Sequence, residues 1–505
     1  MKKVLILLSL LLISLIYYAQ SNQATLPNNF NNCQVSLDQA VEELQEIKTQ
    51  NELNFEFKIV REVTEREECI DKILGTNLEQ GAELQNGLLL DLVVGVVKNS
   101  DNAKTLTKEI SLYQNSFAQY IDSQDYDSVT LINYKICCIE NTHPNSGSKP
   151  LGYIDVFQDK LFFLSNTGEL IFSNLDDFKQ NATKIPQTVI DSNIKKITDK
   201  FNFYSGFRRL NKEASYNNIG QDGWGESFKD VLIIEDKLYV SFTEQINQGC
   251  VKMSIIVGDI NFQYIEFENF YSTKDCVDPN VEPYNAQQAS GRMLHIASDN
   301  KLLFAVGDFK KFDLPQDQDS EFGKIISIDL LNNESQIISI GHRNIQGMAL
   351  IYDEKVISTE HGPKGGDEIN IISIDNVENY GWPISSYGDH YSEYLKTTYA
   401  SVAPLNKSHR EYGFVEPIFY FTYEEINSNG FSQIISNYFD STSDFFVTSL
   451  NGRTIYNLQV TNGPIKLTQF IQTGERIRDI IFVESKKLYI LLQEDTPKLS
   501  LLIDR

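Results

Sequence analysis

The sequence predicts a mainly β protein, a six-bladed β-propeller preceded by a small α+β region, and three observations point there. Beyond residue 150 the apolar residues fall in short runs separated by tight polar turns, the pattern of strands rather than helices. A polar turn, usually ending in Lys, followed by an apolar strand, recurs along that stretch. Asn451-Gly452 and Asn462-Gly463 add dipeptides suited to two-residue hairpin turns.

The recurring unit can be followed in order. It reads Gln158-Asp159-Lys160-Leu161-Phe162, Glu235-Asp236-Lys237-Leu238-Tyr239, Asp299-Asn300-Lys301-Leu302-Leu303, Asp353-Glu354-Lys355-Val356-Ile357 and Ser485-Lys486-Lys487-Leu488-Tyr489, with a degenerate copy at Ser443-Asp444-Phe445-Phe446-Val447. Six hairpins spaced roughly 40 to 90 residues apart suit propeller blades with loop insertions. A β-sandwich or two β-domains using similar turns remain alternatives on these patterns alone. With only Trp224 and Trp382 in the chain, Trp-signature propellers of the WD40 or sialidase type are poor matches.

Before residue 141 the pattern is mixed. Ser36 with Gln39 forms a capping box ahead of Ala40, Leu44 and Ile47, one face of a helix. Leu106, Ile110, Tyr113, Phe117 and Tyr120/Ile121 carry a second helical spacing, and Ser128 to Ile139 reads as a strand. Residues 141–150 (NTHPNSGSKP) are small, polar and Pro/Gly-rich, and read as a linker. The expected organisation is 1–21 signal peptide, 22–140 α+β region, 141–150 linker and 151–505 propeller.

Lys2 and Lys3 precede an apolar run from Val4 to Tyr18, and Ala19-Gln20-Ser21 places small residues where a signal peptidase reads. The run is short and lacks stop-transfer charges, so a secretory signal is expected in place of a stable membrane span, a short anchor being the alternative. An extracytoplasmic location, periplasmic or secreted, follows. All six cysteines lie after this segment, where disulfides persist; Cys250 with Cys276 is the most economical pair, and the first four can pair in several ways. No Cys/His spacing suggests zinc. A net charge of −25 excludes a nucleic-acid partner, which rewards clustered cations.

The densest cluster of site-like residues runs from Gly341 to Tyr387, with Gly341-His342-Arg343-Asn344-Ile345-Gln346-Gly347 followed by His361-Gly362-Pro363-Lys364-Gly365-Gly366-Asp367-Glu368-Ile369-Asn370. This segment resembles the glucose/sorbosone dehydrogenase family. Ser290-Gly291-Arg292 with Val306-Gly307-Asp308, Glu475-Arg476-Ile477-Arg478-Asp479, and the strands around Glu416-Pro417-Ile418-Phe419-Tyr420 and Val447-Thr448-Ser449-Leu450 extend the likeness from about Leu151 to the C-terminus. The resemblance implies a six-bladed propeller that uses pyrroloquinoline quinone (PQQ) and Ca2+ to oxidise an aldose, passing electrons to an external acceptor.

By that resemblance Arg343, Asn344, Arg476 and Arg478 would contact the cofactor, guanidinium being the natural partner of its carboxylates. The backbone carbonyls of Gly362 and Pro363 would hold calcium against the quinone, and Glu368 with the Tyr380 carbonyl would match a second calcium site. Asp308 matches an Asp that orients a catalytic His. The position of that His is occupied by Gln288, whose amide has no usable basicity; Asp308 could take the proton itself if its loop came closer. Asn451 stands where the family usually has a cofactor-binding Lys. His295, in mid-strand, reads as a packed or surface residue. Two functions therefore compete: a sugar dehydrogenase with an altered base, and a non-catalytic, calcium-stabilised propeller that binds a glycan or a protein partner. A hydrolase finds no nucleophile or paired carboxylates.

Overall fold

The computed structural model describes residues 24–30, 33–50, 56–64, 72–76, 78, 81–85, 89–97, 117–125, 129–136, 152–165, 168–179, 185–198, 228–247, 249–352, 355–390, 398, 408–425, 430–439, 444–460, 465–495 and 497–504. The signal segment, the expected linker and the spacing from Leu106 to Tyr113 lie outside them. The chain divides into two compact units, residues 1–105 and 106–505.

In the first unit the capping box is realised. Ser36 Oγ accepts from Gln39 N–H (3.3 Å) and Gln39 Oε1 accepts from Ser36 N–H (3.3 Å), starting the helix Leu37–Gln50. Ala40 and Leu44 on its inner face pack with Leu26, Phe30, Ile73 and Leu90. Beside it the strand Leu89–Val97 lies between Glu56–Thr64, parallel, and Ile73–Thr76, antiparallel.

The second unit is a six-bladed propeller. Blade I starts with the strand Gly152–Phe157, blade II with Phe228–Ile234, blade III with Ser290–Ile296, blade IV with Ile345–Tyr352, blade V with Phe431–Ser436 and blade VI with Ile477–Val483. These first strands touch one another in sequence, and that of blade VI touches that of blade I, closing the ring. Each recurring turn begins the second strand of a blade: Lys160–Ser165, Lys237–Asn247, Lys301–Val306, Lys355–Glu360, Phe445–Ser449 and Leu488–Gln493. Apolar residues on both faces of the sheets fill the spaces between blades, so second strands are nearly continuous hydrophobic runs.

Two findings depart from the sequence expectation. Phe117–Asp125 is a strand where Phe117 to Ile121 had a helical spacing, because it pairs antiparallel with Val129–Ile136, and pairing outweighs local periodicity. Val129–Ile136 in turn pairs with the last strand of blade VI, Lys498–Asp504. Chain from before residues 141–150 is thus built into the sixth sheet.

Carboxylates clasp neighbouring blades near the axis. Asp479 Oδ2 accepts from Ile154 N–H (3.2 Å), Asp155 Oδ2 from Ile233 N–H (2.6 Å) and Asp230 Oδ2 from Met293 N–H (2.8 Å). Arg292, 3 % exposed, answers them: Nη1 lies 2.8 Å from Asp230 Oδ1 and 3.5 Å from Asp479 Oδ1, and Nη2 donates to Arg478 O. Blade II also carries the Cys250–Cys276 disulfide, the pairing expected from spacing.

Candidate active site

Blade III brings Gln288 and Asp308 together. A 3-10 turn, Ala286–Gln288, precedes its first strand and is held by Asn285, whose side chain accepts from Gln287 N–H. Gly307 N–H donates to Ala289 O and Phe309 N–H to Gln288 O, extending the hairpin past its regular strands. A side chain at position 307 would put its Cβ 1.9 Å from Gln288 O, so only glycine permits this approach. With its amide oriented to satisfy both ends, Gln288 donates through nitrogen to Asp308 Oδ1 (3.0 Å) and accepts from Arg343 Nη2 (3.0 Å).

Asp308 is fully buried. Its Oδ2 accepts from Trp382 Nε1–H (2.7 Å) and its Oδ1 from Lys310 N–H (2.8 Å). Burial pushes its pKa up to about 6, against the opposing pull of Arg343 and the donated hydrogen bonds. Trp382 also lies under the Arg343 guanidinium, 5.5 Å from the ring centre.

Arg343 and Asn344 enter blade IV from a loop fixed by Glu360. His342 Nδ1 bonds Glu360 Oε2 (2.9 Å), Arg343 N–H donates to Glu360 Oε1, and the His342 ring stacks on Tyr380 at 4.7 Å. Arg343 Nη1 donates to His361 O (2.9 Å). Asn344 Oδ1 accepts from Ser290 N–H and Gln346 Nε2, while its Nδ2 faces His361 Nδ1 at 3.5 Å. Gly362 N–H and, across in blade V, Gly430 and Phe431 N–H all donate to Asp367. At Gly362 a Cβ would lie 2.2 Å from Gly366 O, so the turn is packed on bare backbone.

Arg476, just before the strand Ile477–Val483, and Arg478 within it both approach Glu494. Arg478 holds it with two bonds, Nε to Oε1 (2.7 Å) and Nη2 to Oε2 (3.1 Å); Arg476 Nε is 3.8 Å away. Burial, then Arg343 and Arg478, push the His361 pKa down to about 3 against a backbone hydrogen bond with Phe431, so the imidazole is neutral. The structure thus gathers Gln288, Asp308, Arg343, Asn344 and the His361-Gly362 turn in blades III and IV, while Arg476 and Arg478 meet each other at Glu494 in blade VI. It adds His361, Trp382, Asp367 and Glu494, which the sequence reading did not single out as site residues. His361 and Asp367 sit within a quoted motif and Trp382 in the same Gly341-to-Tyr387 segment; Glu494 carries no local signal.

The remaining expected positions are arranged differently. Glu368 Oε1 bonds His409 Nε2 (3.0 Å), Glu368 Oε2 accepts from Asn370, and Ser385 Oγ meets His409 Nδ1 (2.8 Å). Tyr380 is buried, its hydroxyl donating to Ile371 O. His295 lies in mid-strand on blade III, half-buried and opposite Leu302. Among the described residues no group of three His, Cys, Asp or Glu side chains is placed to hold a metal, and no helix is long and apolar enough to cross a membrane.

Comparison with known proteins agrees with this geometry. A family model described as Glucose / Sorbosone dehydrogenase matches residues 229–501. Aldose sugar dehydrogenase YliI of Escherichia coli (strain K12) is 29% identical over 215 residues, 39% of this chain and 55% of that protein. Quinoprotein glucose dehydrogenase B of Acinetobacter calcoaceticus is 29% identical over 157 residues, 25% and 32% respectively. The chain therefore matches about half or less of the length of these relatives. In fold, it superposes on a crystal structure of a glucose dehydrogenase with a TM-score of 0.52 at 18% identity, covering 70% of this chain and 95% of the other. The apo-form of soluble aldose sugar dehydrogenase from Escherichia coli gives 0.51 at 18%, covering 70% and 96%. The matched segment, more than half of the chain, contains all the residues of the cluster: this protein belongs to the glucose/sorbosone dehydrogenase family.

Proposed function

We propose that the protein is an extracytoplasmic, PQQ- and calcium-dependent sugar dehydrogenase that oxidises a sugar hydroxyl with Asp308, in place of a histidine, as its proton acceptor. The observation that carries this reading is Arg343, held between Gln288 and the His361 carbonyl beside the Gly362-Pro363 turn, a buried guanidinium suited to a ligand with carboxylates. When bound, PQQ would supply the two-electron acceptor. Arg343, Asn344, Arg476 and Arg478 would hold its acidic groups, and the Gly362 and Pro363 carbonyls would offer hard oxygen ligands to calcium. At Glu368 the His409 imidazole already supplies the partner a cation would, so the proposed calcium dependence rests on Gly362 and Pro363.

The proton is the residue-level question. Gln288 spends its amide on Asp308 and Arg343 and has no basic lone pair. Asp308, pushed up to about 6, is ionised at neutral pH yet basic enough to take a proton. In this reading Gln288 orients the sugar hydroxyl and Asp308 receives its proton, with Trp382 and Lys310 N–H stabilising the carboxylate between turnovers. The Cys250–Cys276 bridge, with Cys33 also disulfide-bonded, supports the extracytoplasmic assignment.

A second reading, a non-catalytic propeller that binds a glycan or a protein, is favoured by the same Gln288, since it ties Asp308 and Arg343 into one closed network. Dye-coupled oxidation of an aldose panel by the purified protein with PQQ and calcium separates the two. Turnover that needs both additions supports the enzyme; none, with PQQ failing to bind, supports the binding protein.

A further inference from the structure

The calcium that the family resemblance implies at Glu368 and the Tyr380 carbonyl meets a donor set that does not fit it. Both Glu368 oxygens face nitrogen, Oε1 toward His409 Nε2 (3.0 Å) and Oε2 toward Asn370 Nδ2 (3.3 Å). An ionised carboxylate only accepts, so Nε2 carries the ring proton. Calcium asks for about six to eight oxygens. Here two N–H groups point at the carboxylate and present positive charge on the side from which a cation would approach.

The slot for the ring is built from several elements. Ser385 Oγ meets His409 Nδ1 at 2.8 Å, so both ring nitrogens are paired, and His409 is 1 % exposed. At Gly381, the residue after Tyr380, a Cβ would stand 2.4 Å from His409 Nδ1 and 2.3 Å from Ser385 Oγ, and only glycine leaves them room. The imidazole thus lies between Glu368 and the Tyr380–Gly381 backbone, where the two expected ligands would meet their metal. Its segment is pinned in turn: Ser408 Oγ and Arg410 N–H donate to Glu416 Oε1 (both 2.7 Å), and the Tyr387 ring leans on the imidazole at 5.3 Å. We propose that His409 stands in the cation's place, so that the protein carries this counter-group in its own chain and binds no calcium at Glu368. The clasp anchors the strand Glu368–Ser373, which leaves the Gly362-Pro363 turn, without a metal. The proposal rests on the dehydrogenase reading only for naming calcium as the cation.

Calcium titration of the mature full-length protein without PQQ, by calorimetry and by melting temperature in EDTA and in Ca2+, tests this. Wild type and Glu368→Gln should give the same calcium isotherm, any binding at the Gly362-Pro363 turn appearing in both. His409→Ala opens the slot. It should melt lower than wild type in EDTA and regain about 2 °C or more in millimolar Ca2+, a gain that His409→Ala combined with Glu368→Gln lacks. Should the alanine variant fail to fold even with calcium, the comparison of wild type with Glu368→Gln still decides. Calcium binding by the wild type that Glu368→Gln abolishes overturns the proposal, as does a folded His409→Ala variant that Ca2+ does not stabilise. Neither result touches the dehydrogenase reading, which fails instead when PQQ and calcium support no aldose oxidation.

Discussion

At position 288 a carboxamide donates to Asp308 and accepts from Arg343, so the pair Gln288–Asp308 keeps a geometry in which only the carboxylate can titrate. If Asp308 takes the proton, turnover rises with pH through about 6, because the ionised form is the active one, and is flat above it. Asp308→Asn removes both the activity and that pH dependence, which a pH–rate profile reads directly. Trp382→Phe deletes the indole donor to Asp308 Oδ2; losing a hydrogen bond to the charged form moves the apparent pKa upward. At this scale the sequence showed the motif residues because their order is specific. His361 and Trp382 escaped because nothing local distinguishes a site residue from a turn residue beside it. Glu494 escaped because its partner Arg478 is 16 residues away, and Asp367, though inside a quoted motif, because two of its three donors lie 63 and 64 residues away.

Blades were legible because a hairpin is written in adjacent residues: each polar turn met in the sequence begins a blade's second strand. What fastens one blade to the next was not legible, since it couples residues such as Asp479 and Ile154, 325 positions apart. Arg292 compensates Asp230 and Asp479 where all three are buried. Arg292→Met should destabilise the propeller by about 3–5 kcal/mol, read by denaturant unfolding, because it leaves two buried acids without their cation. The clasping acids also set a pH dependence. Burial raises the Asp155 carboxyl from 3.8 to about 7, with Asp479 and Asp230 adding to it against its backbone hydrogen bonds. A folded-state value above the unfolded one contributes stability in acid that is lost as pH rises through about 7. The melting temperature should therefore fall between about pH 4 and 7 and level off above that, and Asp155→Asn should flatten that slope.

The ring closes through chain that precedes its first blade. Val129–Ile136 pairs along the outer side of Lys498–Asp504, seven residues against seven, and lends Leu131, Ile132 and Tyr134 to the apolar packing around blade VI. Sequence alone placed the propeller's start at 151, because composition marks a linker at 141–150 but cannot show which sheet an isolated strand will join. Removing residues 1–105 should leave a folded propeller with cooperative unfolding. Removing residues 1–140 should expose the edge of blade VI and give aggregation or a sharply lower melting temperature, by circular dichroism and light scattering.

All three scales meet in the assertion that a sugar-oxidising site survives here with its base moved from position 288 to Asp308. The most direct test is dye-coupled aldose oxidation, with PQQ and calcium supplied, by the wild type and Gln288→His side by side. The expected result is slow, cofactor-dependent turnover in the wild type and a gain of about 10²- to 10⁴-fold in the variant, with PQQ affinity nearly unchanged. No turnover in either protein would contradict it, leaving a propeller that kept the family's loops and uses them only to bind.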